Sequence, residues 1–299
     1  MSVVVPTRDR PEKLGRCLAS VRSALREHDE LVVVDSASTR RDEVADAARP
    51  HADVLLRAEL PGVNRARNLG WGKAGHEVVL LTDDDVIVDR GWAAAFAAAA
   101  EQHPDAGFFT GRIDVPPGQP LPRREVALKR DTEPELFDRR SVTNLGHGAS
   151  MASRRTVLER IGGWDEALGA GGRFRSAPEL DLFDRILGAG WSGRYVPDAL
   201  AFHEQWRDHA ELVQLDFGYG VGNGARIAKL LRSDRGRARI VARDAFWDWG
   251  LADALAEWRR GERPLAKAAL HRVAGTGVGI ARGLVTPVRA GHYQPGDRG

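Results

Sequence analysis

The stretch VVLLTDDDVIVD, residues 78–89, decides how the rest of the chain is read. Val78, Val79, Leu80 and Leu81 have the aliphatic and β-branched character of a strand buried on both faces of a parallel sheet. Asp83, Asp84 and Asp85 follow at once. A buried strand running into acids places dense negative charge at the carboxyl edge of a sheet, which is where open α/β folds bind ligands. Left alone, such carboxylates repel, and a divalent cation that prefers oxygen, Mg2+ or Mn2+, is their natural counter-charge. A solvated acidic turn carries the same letters, so the neighbouring sequence has to separate the two readings.

Upstream, residues 2–6 and 53–56 read as strands, and residues 31–34 form another that ends in Asp35. Between them, Leu14, Cys17, Leu18, Val21 and Leu25 recur at three- and four-residue steps, the stripe of an amphipathic helix starting near Pro11. Residues 41–48 and 64–73 supply two more helices. This alternation predicts an α/β domain with a Rossmann-like, mostly parallel sheet, right-handed crossovers and helices on both faces. Asp35 and the three later aspartates then share one rim.

Downstream, residues 92–102 read as a helix and 107–113 as a strand. Pro116, Pro117, Pro120, Pro122 and Pro134 break up residues 114–143 into a long surface loop of the kind that often carries function. Residues 148–153 are expected back in the sheet, 156–161 as a short helix closed by Gly162 and Gly163, 179–187 as a helix with Glu179 in its first turn, and 193–196 as a last strand. Beyond about residue 205 the alternation stops. A glycine-rich piece, 217–224, is followed by helical patterns at 225–231, 240–259 and 265–288. The expected division is an α/β domain over 1–205 and a helical extension over 206–299.

With 299 residues, 42% hydrophobic and 29% charged, the chain can bury a sizeable core, and its formal charge of +2 makes no electrostatic case for nucleic acid. The single cysteine, Cys17, excludes an internal disulfide and fits a reducing compartment. Residues 2–6 are too short for a signal-peptide core, and no run approaches the about 18 apolar residues of a membrane span. The expected location is cytoplasmic. Peripheral membrane contact is left to the C-terminal helices, where Leu265, Ala269, Val273 and Val278 mix with Lys267, Arg272 and Arg282, with packing on the main domain as the alternative.

Seven segments in order carry a resemblance: VVVPTRDRPEKLGRCLASV (3–21), LVVVDSAST (31–39), RARNLGWGKA (65–74), LLTDDDVIV (80–88), RIGGWDEAL (160–168), APELDLFDRILGAGW (177–191) and YVPDALAFH (195–203). Together they resemble the family 2 glycosyltransferases of GT-A fold, over roughly two-thirds of the chain. The resemblance implies an inverting enzyme of hexosyltransferase type that moves a sugar from a nucleotide-diphosphate donor, UDP- or TDP-linked, to an acceptor hydroxyl with Mn2+ or Mg2+.

Physical chemistry gives the matching residues compatible roles. Asp35 can accept from the imide N–H of uracil or thymine and from ribose hydroxyls, beside Thr7 at the adjacent strand end. Arg67 brings a fixed positive charge suited to a nucleotide or diphosphate. By the family's DxD pattern, Asp83 falls on the ribose side and Asp85 on the metal, with Asp84 as the alternative ligand, and His203 matches a histidine that completes the metal site in some relatives. The family's catalytic base comes from an ED pair before a helix. Here that pair reads Pro178–Glu179, which puts Glu179 at the base position and leaves Asp181 as the alternative. Asp165 is placed to orient its loop or touch substrate, and Trp164 and Trp191 are candidate sugar platforms.

Two rivals are weighed against this reading. A sugar-phosphate nucleotidyltransferase needs a glycine-rich, lysine-bearing phosphate loop after the first strand, whereas residues 7–13 read TRDRPEK. A noncatalytic nucleotide-sugar or carbohydrate-binding protein of the same fold would be favoured by loss of the acids, and they are intact. The acceptor, whether glycan, lipid, protein or small molecule, is not encoded in any of these segments.

Overall fold

The computed structural model describes residues 1–121, 125–205 and 209–295. Pro122 of the expected loop and residue 206, the start of the expected extension, lie outside them. Two compact units divide the chain: Met1–Trp164 with Leu182–Gln205, and Asp165–Asp181 with Trp206–Gly299.

The first unit begins β1 (Ser2–Thr7), α1 (Pro11–Ala24), β2 (Glu30–Asp35), α2 (Arg41–Ala48), β3 (Val54–Arg57), α3 (Val63–Lys73), β4 (Val78–Thr82) and β5 (Val86–Val88). It continues α4 (Trp92–Gln102), β6 (Ala106–Asp114), β7 (Glu135–Phe137), β8 (Ser150–Arg154) and α5 (Arg155–Ile161). After α6 (Pro178–Gly188), which the division cuts, it ends in β9 (Ser192–His203). Among the described residues these strands form a nine-stranded sheet in the order β3-β2-β1-β4-β8-β6-β9-β5, with β7 beside β9.

β3, β2, β1 and β4 are parallel, as expected from their helical crossovers. β8 runs against both of its neighbours, β4 and β6. Its Ser150, Met151, Ala152 and Ser153 are all buried, and the hydroxyls are satisfied: Ser153 Oγ donates to the Gly107 carbonyl at 2.7 Å, and Trp92 Nε1 donates to Ser150 Oγ at 2.9 Å. Alternation along the strands supplies two cores. Val3, Val5, Leu31, Val33 and Leu80 face α1, α2 and α4, where Cys17 lies fully buried as its stripe predicted. Val4 and Val34 face α3. There a Cβ on Gly70 would stand 2.3 Å from Val4 Cγ1, so only glycine lets that helix lie on the sheet.

The second unit carries α7 (His209–Ser233), α8 (Arg235–Arg243), a π-helical segment (Asp244–Ala252), α9 (Asp253–Arg259) and α10 (Arg263–Val285). A two-stranded ribbon, Val288–Arg289 against His292–Tyr293, follows. Residues 217–224, expected to separate helical pieces, lie inside α7. The reason is packing, because Cβ atoms at Gly220 and Gly224 would stand 2.1 Å from the carbonyls of Arg272 and Thr276, and Gly275 and Gly279 of α10 meet α7 as closely. The two helices meet backbone to backbone at these glycines. The expected helix over 240–259 is helical throughout, but its middle is π-wound.

Among the described residues, no helix is long and apolar enough to cross a membrane. Leu265 and Ala269 of α10, expected on a membrane-facing stripe, are buried, and Arg272 is 3% exposed and bonded to Asp216 at 3.0 Å and to Asp253. Of the same stripe, Val273 and Val278 are half-buried and Lys267 and Arg282 exposed.

Candidate active site

β4 and β5 are joined by the aspartates themselves, in a turn closed by the Val86 N–H donating to the Asp83 carbonyl at 3.2 Å. The three side chains part company there. Asp83 is the accessible one, 32% exposed, and accepts from Arg67 Nη2 at 2.9 Å. Asp84 is buried. Thr7 Oγ1 donates to its Oδ2 at 2.8 Å and Arg10 Nη1 to its Oδ1 at 2.8 Å. Burial pushes the Asp84 carboxyl up to about 6, against the opposing pull of Arg10 and with help from the Asp85 charge. Asp85, also buried, has Oδ2 at 3.4 Å from Arg10 Nη1 and Oδ1 at 3.5 Å from His203 Nε2.

Strand register explains how His203 reaches this turn from more than a hundred residues away. β5 pairs antiparallel with β9, setting Val86 opposite His203. Gln205 then fixes the imidazole. Its Oε1 accepts from the Val126 N–H at 3.1 Å and its Nε2 donates to the Val126 carbonyl at 3.0 Å, so the amide cannot turn, and Nε2 lies 2.9 Å from His203 Nδ1. A nitrogen facing an amide donor must accept, which leaves the neutral ring's proton on Nε2, pointing toward Asp85. This hydrogen bonding suits His203 as a donor that holds Asp85. The expected role as a metal ligand requires the opposite tautomer.

Thr7 serves Asp84 directly, as the bond above shows. Asp35 is buried at the end of β2, with Oδ1 accepting from the Ser38 N–H at 2.9 Å and Oδ2 from Arg57 Nη1. Arg67 is buried on α3, and beyond its bond to Asp83 its Nε and Nη1 have no hydrogen-bond partner among the described residues. A buried guanidinium with donors to spare suits an anionic oxygen.

In the second unit, Glu179 stands in the first turn of α6, partly exposed, with no ion pair among the described residues. The backbone before it is strained: Arg175 and Ala177 have φ of 66° and 58°, left-handed values that such residues rarely adopt and that concentrate at functional sites. Asp181 is in a different state, buried against the Lys229 ammonium. The same ammonium lies 2.9 Å from Asp165 Oδ2, which also accepts from the Tyr293 N–H at 2.8 Å. Asp165 thereby orients its loop, one of its two expected roles. Trp164 is fully buried and stapled to Asn68 of α3, with no ring face for a sugar, while Trp191 is partly exposed.

Sequence reasoning missed Arg10, Gln205 and Lys229. Arg10 had a signal, a cation three residues past the first strand end, but Lys229 lies in a region without motifs.

No group of three His, Cys, Asp or Glu able to hold an ion by themselves occurs among the described residues. The donor set fits a different arrangement. Mg2+ is commonly held by one or two carboxylates, with phosphate oxygens and water filling the remaining positions, and Asp85 is a buried carboxylate at the right edge of the sheet for that.

The sequence model of Glycosyl transferase family 2 matches residues 2–162. The chain is 30% identical over 252 residues to the glucosyl-dolichyl phosphate glucuronosyltransferase of Haloferax volcanii, spanning 77% of this chain and 78% of that one. Mannosyltransferase PcManGT from Pyrobaculum calidifontis, solved with GDP-Man and Mn2+, superposes with a TM-score of 0.62 at 18% identity, over 93% of this chain and 86% of the other. S. aureus TarS 1–349 with UDP-GlcNAc gives a TM-score of 0.62 at 16% identity, over 95% and 89%. At such identities the two structures speak for the fold, which is GT-A. With a family match across more than half its length and a relative this similar over most of it, the chain belongs to glycosyl transferase family 2 and is a glycosyltransferase.

Proposed function

We propose that the protein transfers a sugar from a UDP- or TDP-linked donor to an acceptor hydroxyl, inverting the anomeric configuration with the help of Mn2+ or Mg2+. The observation that carries this reading is the graded acid turn after β4: Asp83 accessible, Asp84 buried and bonded to Arg10 and Thr7, Asp85 buried beside His203. In this reading Asp85 holds the metal, and His203 holds Asp85. A bound divalent ion supplies positive charge for the diphosphate. Asp83 and Asp35 receive ribose and base, and the spare donors of Arg67 meet anionic oxygen.

Glu179 is the proposed general base, taking the proton from the attacking hydroxyl. Support comes from its exposure and from the state of its rival, since a carboxylate buried against an ammonium is a poor proton acceptor. A single base with no second nucleophile implies inversion. The named activity of the archaeal relative, on a dolichyl phosphate, favours a lipid-linked acceptor reached from a membrane surface, with the C-terminal helices as the contact.

Thermal shift with UDP, TDP and GDP, each with and without Mn2+, tests the donor half. One nucleotide together with Mn2+ is expected to raise the melting temperature clearly, since ligand at 100-fold over Kd stabilises by about 2.7 kcal/mol. Stabilisation by none of them, or by one equally without metal, would contradict the proposal.

A further inference from the structure

The large apolar side chains of the helical run from α8 through the π segment to α9 face the wrong way for a helix that meets only water. Its inward apolar positions are small: Ala238, Val241, Ala245, Gly250 and Ala254 are buried, together with Arg237 and Glu257. Its outward positions are large. Ile240, Trp247, Leu251, Leu255 and Trp258 are 50%, 58%, 43%, 49% and 60% exposed, and the last four recur at steps of four, four and three residues along one side of the run. Trp249, at 39% exposed, flanks it.

Charge around the stripe is predominantly positive. Arg235, Arg239, Arg243, Arg259, Arg260, Arg263 and Lys267 are exposed, against exposed Asp248 and half-buried Asp244, Asp253 and Glu262, with Arg243 paired to Asp248 and Arg260 to Glu257. Such a stripe of tryptophan and leucine bordered by arginines matches the boundary of an anionic bilayer, where indole rings sit at headgroup depth and guanidinium groups meet phosphate. The π segment carries Trp247 and Leu251 of the stripe, while Trp249 turns toward α10, its ring against the Arg272 guanidinium at 4.7 Å.

We propose that this face of α8, the π segment and α9 lies on an anionic phospholipid surface, its tryptophans inserted and its arginines on the headgroups. The inference deepens the membrane part of the functional reading and does not rest on the chemistry of sugar transfer. It places the contact on a face other than the stripe of α10, whose Leu265 and Ala269 are buried.

The test is sedimentation of the full chain with vesicles of phosphatidylcholine alone or containing about 30% phosphatidylglycerol. Binding to the anionic vesicles is expected to be at least about 10-fold stronger and to weaken with salt. The variant Trp247→Ser/Leu251→Ser/Trp258→Ser should lose about 10-fold or more of it while keeping its melting temperature, because all three side chains are already exposed. Arg239→Gln/Arg243→Gln should lower the preference for anionic vesicles. Should the serine variant fail to fold, brominated lipid must still quench the tryptophan emission of the wild-type chain. Absence of vesicle binding, binding unchanged in the folded serine variant, or a wild-type dimer that the serine variant converts to a monomer without any vesicle binding would each overturn the proposal. The last result would identify the face as a contact between two copies.

Discussion

Replacing Asp85 by alanine is expected to weaken metal-dependent binding of the donor nucleotide by on the order of 100-fold, about 2.8 kcal/mol, and to leave residual binding that Mn2+ no longer improves. The fold should survive. Asp84 and Asp85 share one arginine and raise each other's cost of ionisation, so removing one charge relieves the turn. Calorimetry with and without Mn2+ checks this. The companion variant Asp84→Asn loses a carboxylate whose ionisation burial already opposes, and it should keep metal-dependent binding. If the two results are exchanged, the ion belongs to Asp84.

Glu179→Gln should leave donor affinity near wild type and cut transfer by roughly 10² to 10⁴ fold, the usual range for a lost general base. The amide keeps the shape of the carboxylate and cannot take the proton. Asp181→Asn is an informative control because its predicted fate is different. It removes one carboxylate from the buried Lys229 ammonium, and its main effect should be a lower melting temperature. An Asp181→Asn protein that is folded, binds donor and is inactive, next to a Glu179→Gln protein at near wild-type rate, would transfer the base to Asp181.

The βα alternation and the acid rim were legible because their causes are local: runs such as VVLL announce a doubly buried strand, and an aspartate at a strand end needs no tertiary context to be noticed. A return to the sheet at 148–153 was legible, but the antiparallel direction of β8 was not, since its short serines are satisfied by the distant Trp92 indole and Gly107 carbonyl. Position 203 was legible through the resemblance, but the direction of its proton was not, because Gln205 and Val126 set it from the sequel of one strand and from a loop. Asp181 stood as the alternative base to Glu179, and nothing local in the sequence showed that Lys229, 48 positions away, lies against it. Glycines in α7 misled for the opposite reason: local propensity counts them as breakers, whereas their value lies in a helix contact that only the fold reveals.

The central claim, a metal-assisted single displacement from a nucleotide donor, is tested most directly by proton NMR of the product. The donor nucleotide is the one selected by thermal shift, its sugar α-linked, incubated with acceptor or water in the presence and absence of Mn2+. The account predicts a β-configured product first seen on the wild-type enzyme, formed only with metal and nearly absent in Glu179→Gln. An α-configured product, or equal turnover in the presence of a chelator, would contradict it.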